Sequence, residues 1–155
     1  MTLTLHSAWR ATAPYRVRIG LELKGLAFDY VPVNLAGGQQ REAAFRLLNP
    51  LALVPALEAD GRVFTQSLAI LEWLEETHPD PPLLPVGAGE RAVVRAMAAI
   101  VACDIHPLNN LRVLRALNDL GHPMGGADQV AWGARWIADG FAALEPMVAA
   151  HGRGF

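Results

Sequence analysis

The sequence predicts an α/β domain followed by an all-helical one, and three observations carry that prediction. Short runs with strand character alternate with helical patterns over the first half of the chain. A proline-rich stretch, Pro79-Asp80-Pro81-Pro82-Leu83-Leu84-Pro85, then interrupts the pattern. Beyond it only helical periodicity remains. The expected division is 1–80 as the α/β domain, 81–89 as linker and 90–155 as the helical domain.

The elements follow in order. Thr2 to His6 alternates as a short strand, and Pro14 to Lys24 repeats apolar residues at Val17, Ile19, Leu21 and Leu23 before Gly25, which suits a helix. Phe28 to Val33 reads as a second strand, and Gln40 to Leu48 as a helix stopped by Asn49-Pro50. Val54 to Leu57 and Val63-Phe64 pair as a hairpin across Glu58-Ala59-Asp60-Gly61-Arg62. Gln66-Ser67 opens the apolar helix Leu68 to Leu74. The result is a mixed-pairing α/β layer structure. Glu90 to Leu120 and Asp128 to Ala150 are helical patterns around Gly121 to Gly126, with Pro107 expected to bend the first.

Composition excludes several classes. The chain has 155 residues, 52% hydrophobic and 18% charged, enough for one good core or two small ones and too apolar for disorder. A formal charge of −2 with scattered arginines offers no field for nucleic acid. Cys103 is the single cysteine, and no Cys/His pair has metal spacing, which fits a reducing compartment and no metal site. The longest uninterrupted apolar stretch, Ala96 to Cys103, falls short of the roughly 18 residues a membrane helix needs. Without a signal layout in Met1 to Arg10, the expectation is a cytoplasmic protein with no membrane partner. Trp73, Trp132, Trp136 and Phe141 fall on apolar helical faces and read as core, and Cys103 reads as a small buried hydrophobe.

The chemistry concentrates near Asn49-Pro50, Val54-Pro55 and Gln66-Ser67. Pro55 forces Val54 to be extended, so its backbone can bond an extended peptide as a strand would. Ser67 at a helix start can receive a carboxylate. A strand-like amide beside an anion-binding helix start suits a peptide carrying its own α-carboxylate, as glutathione does on its glutamyl end. Each pair alone reads as well as a structural turn and an N-cap.

Together these residues resemble the zeta class of the glutathione transferase superfamily, the class of the maleylacetoacetate and maleylpyruvate isomerases. The resemblance runs over nearly the whole chain. It is carried by Trp9-Arg10, Tyr15-Arg16-Val17-Arg18-Ile19-Gly20-Leu21, Leu23-Lys24-Gly25, Asn49-Pro50, Val54-Pro55, Gln66-Ser67-Leu68-Ala69-Ile70 and Leu74-Glu75-Glu76, with Gly140-Phe141 and Ala143-Leu144-Glu145 near the end. Cys103-Asp104-Ile105-His106-Pro107, Asn109-Asn110 and Arg112 look most like the maleylpyruvate branch. It implies a thioredoxin-like N-terminal domain binding glutathione, an all-helical C-terminal domain shaping the co-substrate site, and a homodimer. Two departures stand out. The class has two serines and a cysteine where this chain has Ala11-Thr12-Ala13, and the chain ends before the class's Gly-Asp-x-Pro-Thr-x-Ala-Asp segment, which reads as a truncated member. Exposed apolar faces are then expected on Leu111 to Leu120 and Trp132 to Met147.

The reaction this resemblance implies is addition of the glutathione thiolate to a cis double bond conjugated to carbonyls, rotation, and elimination to the trans product. Thr12 at a helix start would favour thiolate, with a plain cap as the alternative. Arg10 would grip a substrate carboxylate or the enolate, and is otherwise a surface arginine. Val54, Pro55, Gln66, Ser67 and His106 are the expected glutathione contacts. Arg112, on a helix bent at Pro107, would reach a dicarboxylate-like substrate with His106 on the same side. Arg16 and Arg18 are assigned to helix surface and ion pairs. Transfer of glutathione to haloacids, and a non-catalytic glutathione-binding fragment, are the competing readings.

Overall fold

The computed structural model describes residues 2–152, which leaves the last three positions of the expected helical domain outside the described residues. The chain forms two compact units, Met1–Leu84 and Pro85–Phe155.

The first unit is built on a four-stranded sheet in the order β2-β1-β3-β4. Its strands are β1 (Leu3–Ser7), β2 (Asp29–Pro32), β3 (Ala56–Ala59) and β4 (Arg62–Thr65). β1 runs parallel to β2 and antiparallel to β3, and β3 and β4 form an antiparallel hairpin. Helix α1 (Thr12–Leu23) makes the crossover from β1 to β2, and α3 (Ser67–Thr77) follows β4. This is the thioredoxin-like mixed sheet the resemblance implies.

Alternation in β1 sends Leu3 and Leu5 inward, where they meet Val17 and Leu21 of α1, Leu57 and Ala59 of β3, and Ile70 and Leu74 of α3. Gly20 lets the two helices close up, since a Cβ there would run into the Leu71 side chain. The hairpin turns on Asp60 and Gly61, both at positive φ (49° and 72°), the pairing a two-residue turn demands.

Several boundaries differ from the sequence reading, among them the hairpin turn, which is Asp60-Gly61 alone where Glu58 to Arg62 was expected. The expected helix over Gln40 to Leu48 is a 3-10 turn, Gln39–Arg41, and a separate α2 (Ala43–Leu48), because Glu42 is extended (φ −66°, ψ 151°). The hairpin strand starts at Ala56, so Val54 leads into it and does not lie within it. α1 starts at Thr12 with Ala11 as its N-cap, two residues earlier than Pro14.

The second unit contains α4 (Ala88–Ala99), a π-helical segment Ile100–Ile105, a 3-10 turn Pro107–Asn109, α5 (Leu111–Asp119) and α6 (Gly126–His151). The bent helix expected at Pro107 is therefore a break. Proline has no N–H to give, the winding ahead of it widens so that His106 N–H reaches Val101 O (3.0 Å), and α5 restarts where Asn110 Oδ1 caps Arg112 N–H (3.1 Å). By length and composition 88–119 is also apolar enough to cross a membrane, in contrast to the sequence reading, but this break divides it.

Trp132 donates its indole N–H to Leu108 O (2.8 Å) and meets Trp136 edge-on at 5.6 Å. Phe141, expected in the core, is 47% exposed, and Leu111, Leu120, Val130 and Ile137 are exposed as well. Cys103, expected to be buried, lies in the π segment and is exposed.

Candidate functional site

Sheet register gathers the predicted residues of the first unit. His6 lies opposite Ala56, so the chain leaving β1 at Ser7 passes the Val54-Pro55 entrance to β3. Ala56 in turn lies opposite Thr65, which brings Pro55 beside Gln66. Three segments, the turn before α1, the entrance to β3 and the start of α3, thus meet at one end of the sheet.

The first is a tight turn closed by Ala11 N–H on Ala8 O (2.9 Å). It presents Trp9 and Arg10 outward, with the Arg10 guanidinium 5.6 Å from the Trp9 ring centroid. Trp9, Arg10, Ala11, Thr12, Tyr15 and Arg18 line an open hollow of about 360 Å³. Arg18 holds the turn from below: it donates to Trp9 O (2.8 Å) and lies over the Tyr15 and Tyr30 rings at 5.0 and 5.9 Å. Thr12 is exposed in the first turn of α1, where helix N–H groups lack intrahelical partners.

The second segment is shaped by Asn49. Its buried side chain donates to Leu53 O (2.7 Å) and accepts from Leu51 N–H (3.1 Å), folding 50–53 into a compact loop that ends at Val54. The Val54–Pro55 peptide is cis.

The third segment departs from an ordinary capped helix. Gln66 is the N-cap residue, it makes no capping bond with its side chain, and it sits at φ 66°, a conformation costly for a residue with a Cβ. Ser67 is buried and does not cap either: its hydroxyl accepts from Arg16 Nη1 at 2.6 Å. Arg16, assigned to helix surface and ion pairs from sequence, therefore touches a predicted site residue. Only the packing of α1 against α3 identifies which α1 arginine does so.

His106 and Arg112 lie in the second unit. They do not share a helix, because the 3-10 turn Pro107–Asn109 and the Asn110 cap separate them, so the helical phasing expected to point both the same way does not apply. His106 is half-buried and Arg112 is exposed. Among the described residues no three His, Cys, Asp or Glu side chains cluster as a metal site would require.

A thioredoxin-like unit with these three segments at one end of its sheet, followed by a helical unit, defines a glutathione transferase. The family described as "Glutathione S-transferase, N-terminal domain" matches residues 13–77. A maleylpyruvate isomerase of Ralstonia sp is 46% identical over 150 residues, covering 95% of this chain and 69% of that protein. The holo structure of a bacterial zeta-class maleylpyruvate isomerase superposes with a TM-score of 0.92 at 44% identity, over 98% of this chain and 71% of that one. A maleylacetoacetate isomerase from Anaeromyxobacter dehalogenans, holding dicarboxyethyl glutathione and citrate in its active site, gives a TM-score of 0.81 at 44% identity, over 99% and 70%. The chain belongs to the zeta-class glutathione transferase family of maleylpyruvate and maleylacetoacetate isomerases.

Proposed function

We propose that the protein is a glutathione-dependent cis-trans isomerase of maleylacetoacetate or maleylpyruvate, with the first unit as its glutathione-binding domain. The observation that carries the site is the β3–β4 register, which sets Val54-Pro55 beside Gln66-Ser67. Val54 is free of β3 and can offer its backbone to an extended peptide. Ser67 and the start of α3 receive the glutamyl carboxylate.

The sulfur lies toward Thr12, whose hydroxyl and neighbouring N–H groups stabilise the thiolate. Arg10 faces the same hollow and supplies charge for a carboxylate of the substrate and for the enolate oxygen that forms on addition. The thiolate attacks one carbon of the cis double bond and the electron pair moves to the conjugated carbonyl. The former double bond rotates as a single bond, and elimination of the thiolate regenerates glutathione with the trans product. For the second unit the resemblance supports His106 as a glutathione contact and Arg112 as a carboxylate contact. The enzyme works as a homodimer in the cytoplasm, apart from nucleic acid and membranes.

Incubation with glutathione and cis-maleylpyruvate or cis-maleylacetoacetate, followed by absorbance and identification of the trans product, tests the reading. Turnover is expected only with glutathione, and Arg10→Ala should lower kcat/KM on the order of a hundredfold, as loss of a donor to a developing oxyanion does. Consumption of glutathione with a stable conjugate as product would instead make the chain a transferase.

A further inference from the structure

His106 sits where the helical ladder of the second unit breaks, after the π segment Ile100–Ile105 and before the 3-10 turn Pro107–Asn109. The break takes the usual donors from the carbonyls on either side of it. In a continuous helix Ile105 O would accept from Asn109 N–H and Leu108 O from Arg112 N–H. Here Asn109 N–H goes to His106 O (3.2 Å) and Arg112 N–H to Asn110 Oδ1 (3.1 Å).

Two side chains supply the missing donors. Asn109 Nδ2 donates to Ile105 O (3.0 Å), and the Trp132 indole N–H, from α6, donates to Leu108 O (2.8 Å). α6 also fits the broken segment closely. Gly133 and Gly140 lie about two turns apart on one face of that helix. A Cβ at Gly133 would lie 3.2 Å from Asn109 Oδ1, and one at Gly140 would run into the Ile105 side chain. Glycine is unfavourable inside a helix, so this pair marks the close approach of α6 to residues on both sides of His106.

We propose that Trp132 is a positioning residue of the glutathione site: its indole N–H fixes the 105–109 backbone on α6 and so sets where the His106 side chain reaches. The proposal rests on the reading that His106 contacts glutathione. Trp132 acts through that backbone and takes no part in the isomerisation chemistry. A tryptophan serving only as core would be replaced by phenylalanine without effect on binding.

Glutathione Kd of Trp132→Phe, His106→Ala and the double variant tests it, with urea midpoints and amide exchange followed in each. Trp132→Phe keeps a ring and removes the N–H, and should raise the Kd about fivefold, the scale of one net hydrogen bond. The KM for glutathione should rise with it while kcat holds. The His106 N–H, bonded to Val101 O (3.0 Å), should exchange faster in Trp132→Phe. Asn109→Ala, which withdraws the donor to Ile105 O, should act in the same direction. In the His106→Ala background Trp132→Phe should cost nothing further, since no imidazole remains to be placed. Equal losses in both backgrounds would make Trp132 a support of the fold alone and overturn the proposal. Unchanged exchange at His106 in Trp132→Phe would overturn it too. Undiminished binding in His106→Ala would remove His106 from the glutathione site and leave Trp132 nothing to position.

Discussion

At the scale of single residues, α1 shows how little spacing alone assigns. Arg16 and Arg18 are two apart, so they project roughly 200° from each other, and they serve different ends. One holds the Ser67 hydroxyl and the other the Trp9 carbonyl. Its place at a helix start picked out Ser67, whereas Thr12 was picked out by the resemblance, as the one hydroxyl where the class has two serines and a cysteine. Nothing local separates a surface arginine from one that packing carries to a neighbouring helix. Thr12 illustrates what can then be asked of the site. Removing its hydroxyl in Thr12→Val should raise the pKa of bound glutathione thiol, because one donor to the thiolate is lost. kcat/KM should fall about tenfold at neutral pH and its rising limb should move to higher pH. Thiolate absorbance near neutral pH checks the cause directly. An unchanged limb would leave the thiolate to backbone N–H groups alone.

At the scale of elements, Lys24 and Glu75 bind the C-terminal parts of α1 and α3. Their buried ion pair is 2.9 Å long, and Lys24 also donates to His78 O (2.6 Å) and Pro81 O (3.0 Å). Burial opposes ionisation of Glu75, but the N–H groups of Leu83 and Leu84 and the Lys24 ammonium outweigh it and hold its carboxyl below the usual range. The unfolded chain therefore binds that proton more tightly than the folded one. The stabilisation is complete above the ordinary carboxylate pKa of about 4.3 and disappears as pH falls through the lowered folded value. Glu75→Gln should flatten the acid limb of stability, measured as the urea midpoint from pH 6 downward. Lys24→Met, which takes the ammonium away from the buried carboxylate, should cost about 3 kcal/mol at neutral pH. The hairpin was legible with a turn drawn too long, Glu58 to Arg62 in place of Asp60-Gly61, and α1 and α3 were legible from apolar periodicity. The Glu90 to Leu120 pattern was not, because apolar spacing continues across the place where Pro107 and the Asn110 cap interrupt the hydrogen-bond ladder.

At the scale of the whole molecule, the residues proposed to bind ligands fall in both units. Val54-Pro55, Gln66-Ser67, Thr12 and Arg10 all belong to Met1–Leu84, whereas His106 and Arg112 belong to Pro85–Phe155. A ligand that binds only the folded state stabilises it by about 2.7 kcal/mol at a hundred times its Kd, and that gain falls on whatever must be folded to bind. Hydrogen exchange with and without glutathione reads where it falls. Slower exchange is expected first in the hairpin Ala56–Thr65 and in the opening turns of α1 and α3, whose register builds the glutathione contacts. If His106 contributes, protection should also extend to the π segment, where its own N–H bonds Val101 O. Protection confined to Met1–Leu84 would remove His106 from the glutathione site and leave the helical unit to the co-substrate alone.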